Sequence, residues 1–310
     1  MTEKKQRIFI TGAGGFLGSH LCDAFLERGD TVCGSLRGGD ARIAHLRGNA
    51  RFTTVALDFT NEDKTTDALA AFHPDGVVHA GALNPPEPIL SPFPFFEANE
   101  RGTVVVLEAA RKAGAQKFIY ISSMSIYDKT QLTPPISEEH PVSPNDFYSA
   151  SKYAGEVWSR LYGESSRLRV AVLRCAGMYG PRRHSGAVGN FIARALANEP
   201  LEIERDIGWD LVYVTDIATA VVESLNFLDS RRFGIFNIGS GTETNIQELA
   251  SLIIRETGSH SPVVFGADFK KTAPFHFSLD TSKARRLLQF HPTSLPVGVR
   301  QCIEFVKTTK

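Results

Sequence analysis

Tyr148 and Lys152, in the stretch Phe147-Tyr148-Ser149-Ala150-Ser151-Lys152, place a phenol and an ammonium four residues apart. On a helix they share one face and can meet one substrate. A free phenol titrates near ~10, but a neighbouring ammonium favours the phenolate and lowers that value. The chemistry on offer is proton transfer to or from a carbonyl or alcohol oxygen, with Tyr148 as acid/base. Upstream, a strand pattern at 117–122 ends in Ser122-Ser123-Met124-Ser125. In a parallel sheet those hydroxyls face the ligand crevice beyond the strand ends. The Tyr/Lys pair alone would fit an ordinary amphipathic helix, so its meaning rests on the elements that must position it.

The chain first supplies a place for a cofactor. Residues 7–11 read as a buried strand leading into Gly12-Ala13-Gly14-Gly15-Phe16-Leu17-Gly18 and an apolar-periodic helix to about residue 28. Gly12, Gly15 and Gly18 allow a tight turn, close approach of backbone to a pyrophosphate, and packing of helix on strand, with the phosphates at the helix N-terminus. A second strand, 31–35, ends in Ser35-Leu36-Arg37, where an NAD site would offer a carboxylate to the ribose. A serine hydroxyl and a guanidinium suit the 2′-phosphate of NADP instead. Asp40 is within reach, or serves as a helix cap. Strands at 52–57 and 76–80 alternate with helices at 64–71 and 95–113, a βα rhythm that implies a parallel sheet. Asp58 and Phe59 are placed to meet the adenine. The small residues Ala80, Gly81 and Ala82 let a nucleotide pass close to backbone, while His79 reads as a packed strand-end histidine. Five prolines between 84 and 94 predict a stiff irregular loop along one wall of the pocket.

A further strand at 169–175 completes this half, and beyond it the rhythm becomes ragged. Expected there are a helix at 188–197, short strands at 201–203 and 211–214, and a helix from 216 to 228. Thr244-Asn245-Ile246-Gln247 has the pattern of a capping box opening a helix to about 256, and two short helices follow residue 280. The fold class is therefore α/β: a Rossmann doubly wound parallel sheet in residues 1–175, to which later segments return, with a smaller C-terminal substrate-binding lobe in 176–310.

Composition narrows the partners. Lys+Arg and Asp+Glu both number 34, so no net field draws the protein to nucleic acid or an anionic membrane, and a small-molecule ligand must be held by local geometry. Cys22, Cys33, Cys175 and Cys302 show neither metal-binding nor disulfide spacing, which predicts buried thiols and no metal. The polar N-terminus lacks a signal-peptide core and no apolar run approaches the ~18 residues of a membrane span, so a cytoplasmic protein is expected.

With these segments in hand, the chain resembles the extended short-chain dehydrogenase/reductases, especially nucleotide-sugar epimerases, dehydratases and ketoreductases. The likeness covers nearly the whole length. It rests on Thr11 to Gly18, on Asn99-Glu100-Arg101-Gly102-Thr103, on Ser122-Ser123, on Tyr148 to Lys152, on Tyr179-Gly180-Pro181 and on Asn237-Ile238-Gly239-Ser240-Gly241. The resemblance implies Tyr148 as catalytic acid/base, Lys152 holding the nicotinamide ribose and lowering the Tyr148 pKa, and Ser123 hydrogen-bonding the reacting oxygen. It implies a dimer formed through the helices bearing Asn99 and Tyr148. Phe16, Leu17, Asn99, Cys175 and Met178 join the cofactor side, and Leu83, Ser123, Met124, Ser125, Gly177, His184 and Trp209 form the substrate side.

Three features depart from the family pattern. Gly177 stands where sugar-nucleotide enzymes usually carry asparagine, and Trp209 where an arginine grips the substrate diphosphate. Both argue against a nucleotide-diphosphate sugar, although Arg182, Arg183 or Arg205 could compensate. Met124-Ser125 replaces the acidic pair of the 4,6-dehydratases. The expected function is an NADP-dependent oxidoreductase that reduces a keto group on a sugar-like substrate, free or nucleotide-linked. The alternative is a redox-neutral epimerase with retained NAD. A catalytically silent nucleotide sensor is disfavoured by the intact Ser123, Tyr148 and Lys152.

Overall fold

Residues 5–84, 91–130, 132–183, 185–267, 269 and 275–309 are described by a computed structural model. Six strands of its main sheet come from the first 175 residues: β1 (Arg7–Thr11), β2 (Thr31–Leu36), β3 (Phe52–Ala56), β4 (Gly76–His79), β5 (Lys117–Ser123) and β6 (Arg169–Cys175). Helices α1 (Phe16–Arg28), α2 (Glu62–Phe72), α3 (Phe93–Phe95), α4 (Gly102–Lys112) and α5 (Phe147–Ser165) connect them. After β7 (Gly177–Tyr179), α6 (Gly186–Leu196), β8 (Leu201–Ile203), β9 (Ile207–Tyr213) and α7 (Val214–Ser230), the chain returns through β10 (Phe233–Ile238). It ends with β11 (Glu243–Asn245), α8 (Ile246–Thr257), β12 (Val263–Phe265), β13 (Phe275–Phe277), α9 (Ser282–Leu287) and α10 (Leu295–Thr308).

The main sheet has the order β10-β6-β5-β4-β1-β2-β3, and every pairing in it is parallel. Strand order reverses between β1 and β4, the point where an open α/β sheet leaves a crevice beyond its carboxyl ends. Buried apolar residues fill both faces of the sheet, as all-parallel sheets require. A second core joins α6, α8 and α10 to a small sheet in which β9 pairs with β7, β11 and β13. This is the expected α/β architecture with a smaller C-terminal lobe.

Differences from the expected elements have local causes. The predicted strand at 211–214 begins at Ile207, since Gly208 and the buried Asp210 hide its apolar pattern. Asp210 earns its burial by accepting the N–H groups of Ser240, Gly241 and Leu279 and the Ser240 hydroxyl, at 2.6–3.1 Å. That explains why Ser240 and Gly241 follow β10. Thr244 is paired with Trp209 in β11, so the helix is capped by Asn245, which accepts the Gln247 N–H at 2.8 Å, and the box predicted from Thr244 does not form. Asp40 does stand before a short 3₁₀ turn, Ala41–Leu46, but its carboxylate pairs with Arg47 at 2.7 Å instead of capping. The helix expected at 95–113 is α3, a π-wound stretch Phe96–Arg101, and α4. Residues 85–90 of the proline-rich loop lie outside the described residues. Among the described residues no helix is long and apolar enough to cross a membrane, and all four cysteines are buried and unpaired.

Helix α5 packs directly onto the sheet. Its inward residues are Ser149, Ser151, Lys152, Gly155, Glu156, Ser159 and Gly163, a small and polar face instead of an apolar one. A Cβ at Gly155 would be driven into the hydroxyl of Tyr120, a ring fully buried in β5. The start of the helix is fixed by a capping box, Ser149 N–H to Asp146 at 2.7 Å with the return bond from Asp146 N–H to Ser149 Oγ at 3.2 Å. We expect Gly155→Ala to destabilise the fold by about 1–3 kcal/mol through overpacking, read as a lower urea midpoint. An unchanged midpoint would show that α5 has slack against β5.

Candidate active site

The glycine turn forms a cradle at the sheet's switch point. Gly12 has φ +71° and its missing Cβ would come within 2.7 Å of Gly81 Cα, so the turns after β1 and β4 touch through backbone alone. Gly15 is the N-cap of α1 and donates its N–H to the Gly12 carbonyl at 2.9 Å, and a Cβ on Gly18 would enter that same carbonyl. No side chain caps α1 and no acidic residue sits in its first turn, so its N–H groups are left to an anion. Phe16 is half-buried at the crevice, and Leu17 is core. These features fit the pyrophosphate of a dinucleotide.

Around the cradle, Ser35 is buried at the end of β2 and its carbonyl accepts the Ala13 N–H at 3.1 Å. The Thr60 N–H and hydroxyl hold the exposed Asp58 carboxyl below the usual range, with a smaller contribution from the charge of the exposed Arg37. Phe59 points the other way: its ring is buried edge-on to His79 at 5.2 Å and fills the space over Gly81. It therefore supports the crevice from beneath, while Asp58 faces solvent. Ala80 is half-buried and Ala82 exposed at the crevice.

A buried hydrogen-bond chain ties this cradle to α5. Gly81 N–H donates to Thr11 Oγ1 at 3.0 Å, Thr11 Oγ1 meets His79 Nδ1 at 2.7 Å, and His79 Nε2 meets Thr103 Oγ1 at 3.1 Å. Because the Thr103 hydroxyl donates to the Asn99 carbonyl at 2.5 Å, it must accept from His79, which fixes the ring as the Nε2–H tautomer. Burial drives the His79 pKa down to about 3, so this histidine is a neutral bridge. The Asn99 side chain accepts the Leu83 N–H at 2.6 Å and donates to the Leu83 carbonyl and to Ser151 Oγ, each at 3.0 Å. Sequence reasoning placed His79 in the packing but gave no signal of this relay of fixed dipoles.

Tyr148, Lys152 and Ser123 converge at the ends of α5 and β5. Ser123 accepts the Ser125 N–H at 3.2 Å and so caps the short 3₁₀ turn Met124–Ile126, while the Ser125 hydroxyl is buried with no partner among the described residues. Burial raises the Tyr148 pKa, and its hydrogen bond with Ser123 opposes that rise. The phenol is thus a proton donor at neutral pH in the ligand-free chain, where desolvation outweighs the expected help from the lysine. Lys152 is buried with its ammonium 4.3 Å from the Tyr120 ring centroid. Burial lowers its pKa to about 8, resisted by the Glu156 carboxylate one turn along. Cys175 faces Ser123 in register across β5 and β6, and burial pushes its thiol up to about 12, which leaves it unreactive. Glu156 is held by Ser122 Oγ at 2.5 Å and by Arg174 at 2.8 Å, a buried ion pair with no sequence signature.

On the substrate side a cavity of about 190 Å³ opens between β7, α6, β9 and α10. Gly177 and Trp209 meet there, and a Cβ on Gly177 would stand 2.9 Å from the indole Nε1. Met178 is half-buried, and its carbonyl accepts from Arg183 Nη1 at 2.8 Å. His184 lies outside the described residues. Among the described residues no group of three or more His, Cys, Asp or Glu side chains is arranged to hold a metal.

A Rossmann crevice ending in a Ser/Tyr/Lys cluster defines a nicotinamide-dependent enzyme of the short-chain dehydrogenase/reductase type, and comparisons narrow the class. The NAD dependent epimerase/dehydratase family profile matches residues 8–239. A UDP-glucose 4-epimerase of Mycolicibacterium smegmatis is 32% identical over 318 residues, covering 97% of this chain and 98% of that protein. A dTDP-glucose 4,6-dehydratase of Streptomyces niveus is 29% identical, covering 98% and 94%. The crystal structure of a UDP-glucuronic acid 4-epimerase from Bacillus cereus, in complex with UDP-glucuronic acid and NAD, superposes with a TM-score of 0.88 at 28% identity, covering 98% of this chain and 100% of that one. The chain belongs to the NAD-dependent epimerase/dehydratase family, a branch of the extended short-chain dehydrogenases/reductases, and is an enzyme of that type with a nicotinamide dinucleotide cofactor.

The unusual ammonium is directly observable. In the ligand-free protein, ¹⁵N-detected NMR of labelled lysine should show one Nζ signal titrating near pH 8, charged below and neutral above, that vanishes in Lys152→Met. Absence of any such signal would contradict the buried placement of Lys152.

Proposed function

We propose that the protein epimerises a nucleotide-linked sugar by a redox-neutral route, oxidising a secondary alcohol to a ketone and reducing it again on the opposite face. A nicotinamide dinucleotide held in the crevice would supply the hydride acceptor for the oxidation and the hydride donor for the reduction. Gly12, Gly15, Phe16, Leu17 and Gly18 hold its pyrophosphate, Ser35, Arg37 and Asp58 its adenosine end, and Ala80 to Ala82 let it lie against backbone. Lys152 holds the nicotinamide ribose, flanked by Asn99, Cys175 and Met178. Tyr148 takes the alcohol proton and later returns it to the ketone oxygen, which Ser123 steadies. Leu83, Ser125, Gly177 and Trp209 complete the substrate side.

One observation carries the choice of epimerase over dehydratase. Epimerisation needs a proton removed from and restored to one oxygen, and Tyr148 alone can do both. Elimination of water needs a second acid/base pair on neighbouring carbons, yet the two residues after Ser123 are Met124 and Ser125, neither of which titrates usefully. The similarity to sugar-nucleotide epimerases supports the same reading. A second reading, an NADPH-dependent ketoreductase, is favoured by Ser35 and Arg37, because β2 ends without a carboxylate to exclude a 2′-phosphate. Exposed Phe93, Phe96, Phe147, Trp158 and Leu161 near and along α5 support pairing with a second copy through these helices. Buried unpaired thiols suit a reducing cytoplasm.

Tyr148→Phe should lower turnover by ~10²–10⁴ while leaving cofactor affinity nearly intact, since only the proton-transfer hydroxyl is removed. Turnover close to wild type would remove Tyr148 from the mechanism. Protein purified without added cofactor is expected to retain nicotinamide and to interconvert two epimers with no net change in the absorbance of reduced nicotinamide. Stoichiometric consumption of NADPH with a keto substrate would establish the ketoreductase instead.

A further inference from the structure

Arg183 is a half-buried cation with no carboxylate at salt-bridge distance among the described residues, whereas its neighbour Arg182 is paired with Asp23 at 2.7 Å. It lines the substrate cavity beside Gly177 and Trp209, with its guanidinium 5.4 Å from the Phe16 ring centroid. Among the described residues only one of its five donors is used, on the Met178 carbonyl at 2.8 Å, which leaves most of the fork for a ligand. Desolvation lowers its pKa, and the Tyr148 phenol, once ionised, opposes that lowering, which puts the guanidinium within electrostatic reach of the reacting oxygen.

Its position is fixed by the cofactor half of the molecule. The Pro181 carbonyl accepts from His20 Nε2 at 3.0 Å, and the Arg182 carbonyl accepts from Arg42 Nε at 3.1 Å. Arg182 itself has φ +69°, a left-handed conformation costly for arginine, held by its pairing with Asp23. The segment is therefore clamped to α1 and the 41–46 turn, with Arg183 pointing into the cavity. Beyond the guanidinium the cavity is apolar and aromatic, lined by Ile192, Trp209, Leu211 and Phe305. One uncompensated cation near Tyr148 followed by an apolar pocket matches a ligand with an anionic group close to the reacting sugar and a flat group farther out.

We infer that Arg183 holds the phosphate attached to the sugar, with the base lying in the pocket walled by Trp209. This rests on the nucleotide-linked reading and names the residue that recognises such a substrate here. A sugar carboxylate would present the same charge chemistry, so the test must separate the two.

Calorimetric binding of UDP, uridine and D-glucuronate to the cofactor-loaded protein does so. Wild type should bind UDP more tightly than uridine by roughly ten- to hundredfold, Arg183→Gln should abolish that difference, and Arg183→Lys should restore part of it. Cofactor affinity should be unchanged in both variants, a result that a merely structural role would not give. If wild type prefers UDP and Arg183→Gln keeps the preference, the inference fails while the nucleotide-linked reading stands. If Arg183→Gln weakens the cofactor instead, the guanidinium serves the dinucleotide and the inference fails. Binding of glucuronate alone, dependent on Arg183, would overturn the phosphate assignment in favour of a carboxylate. Wild type that binds neither UDP nor uridine would overturn the nucleotide-linked reading and the inference together.

Discussion

The close seating of α5 on β5 is the constraint on which the rest of the site depends. Gly155 lets the helix settle onto the Tyr120 hydroxyl, and the same ring receives the Lys152 ammonium from below. One turn on, Glu156 reaches Ser122 and Arg174, so the helix is fixed to two adjacent strands by polar contacts. A buried ion pair of this kind adds little net stability, because desolvation offsets most of the attraction. Its value here is positional: it sets how far Tyr148 and Lys152 stand from Ser123, and proton transfer is sensitive to that distance.

The same polar layer links the two lobes. Arg174 also donates to Tyr127 Oη at 3.0 Å, and Tyr127 donates to Asn237 at 2.6 Å. Asn237 in turn donates from its amide to the Ile136 and Asp280 carbonyls at 2.9 and 3.2 Å. The catalytic helix, the segment leading to it and the start of the C-terminal helices are thus one connected network. On the other side of the crevice, the His79 chain joins the glycine cradle to Asn99 and Ser151. Cofactor cradle and proton-transfer group are therefore held in one frame before any ligand arrives, as preorganised catalysis requires.

What could be read from the sequence was what depends on neighbours along the chain. The turn from Gly12 to Gly18, the strand-end serines and the Tyr148/Lys152 spacing carry their geometry in a few consecutive residues, and the sheet follows from repeated βα units. The features that escaped are contacts between distant segments. Nothing near Gly155 announces Tyr120, and nothing near Gly177 announces the Trp209 indole. The polar inner face of α5 even disguises a tightly packed helix as a surface one. In the ligand-free chain the Tyr148 pKa lies above that of a free phenol for a related reason: spacing shows the lysine, but only the fold shows how much water is removed. Function followed the same pattern. The absence of a carboxylate after β2 argued for NADPH and a reductase, whereas comparison with the whole chain favours redox-neutral sugar-nucleotide chemistry.

The central claim is that one hydride leaves a sugar carbon and returns to it within a single turnover. The most direct measurement starts from a nucleotide sugar deuterated at the epimerised carbon, with the product analysed by mass spectrometry and NMR. The account predicts that deuterium stays at that carbon in the inverted product, with none exchanged into solvent. Loss of the label to a free cofactor pool, or appearance of solvent hydrogen at that carbon, would contradict it.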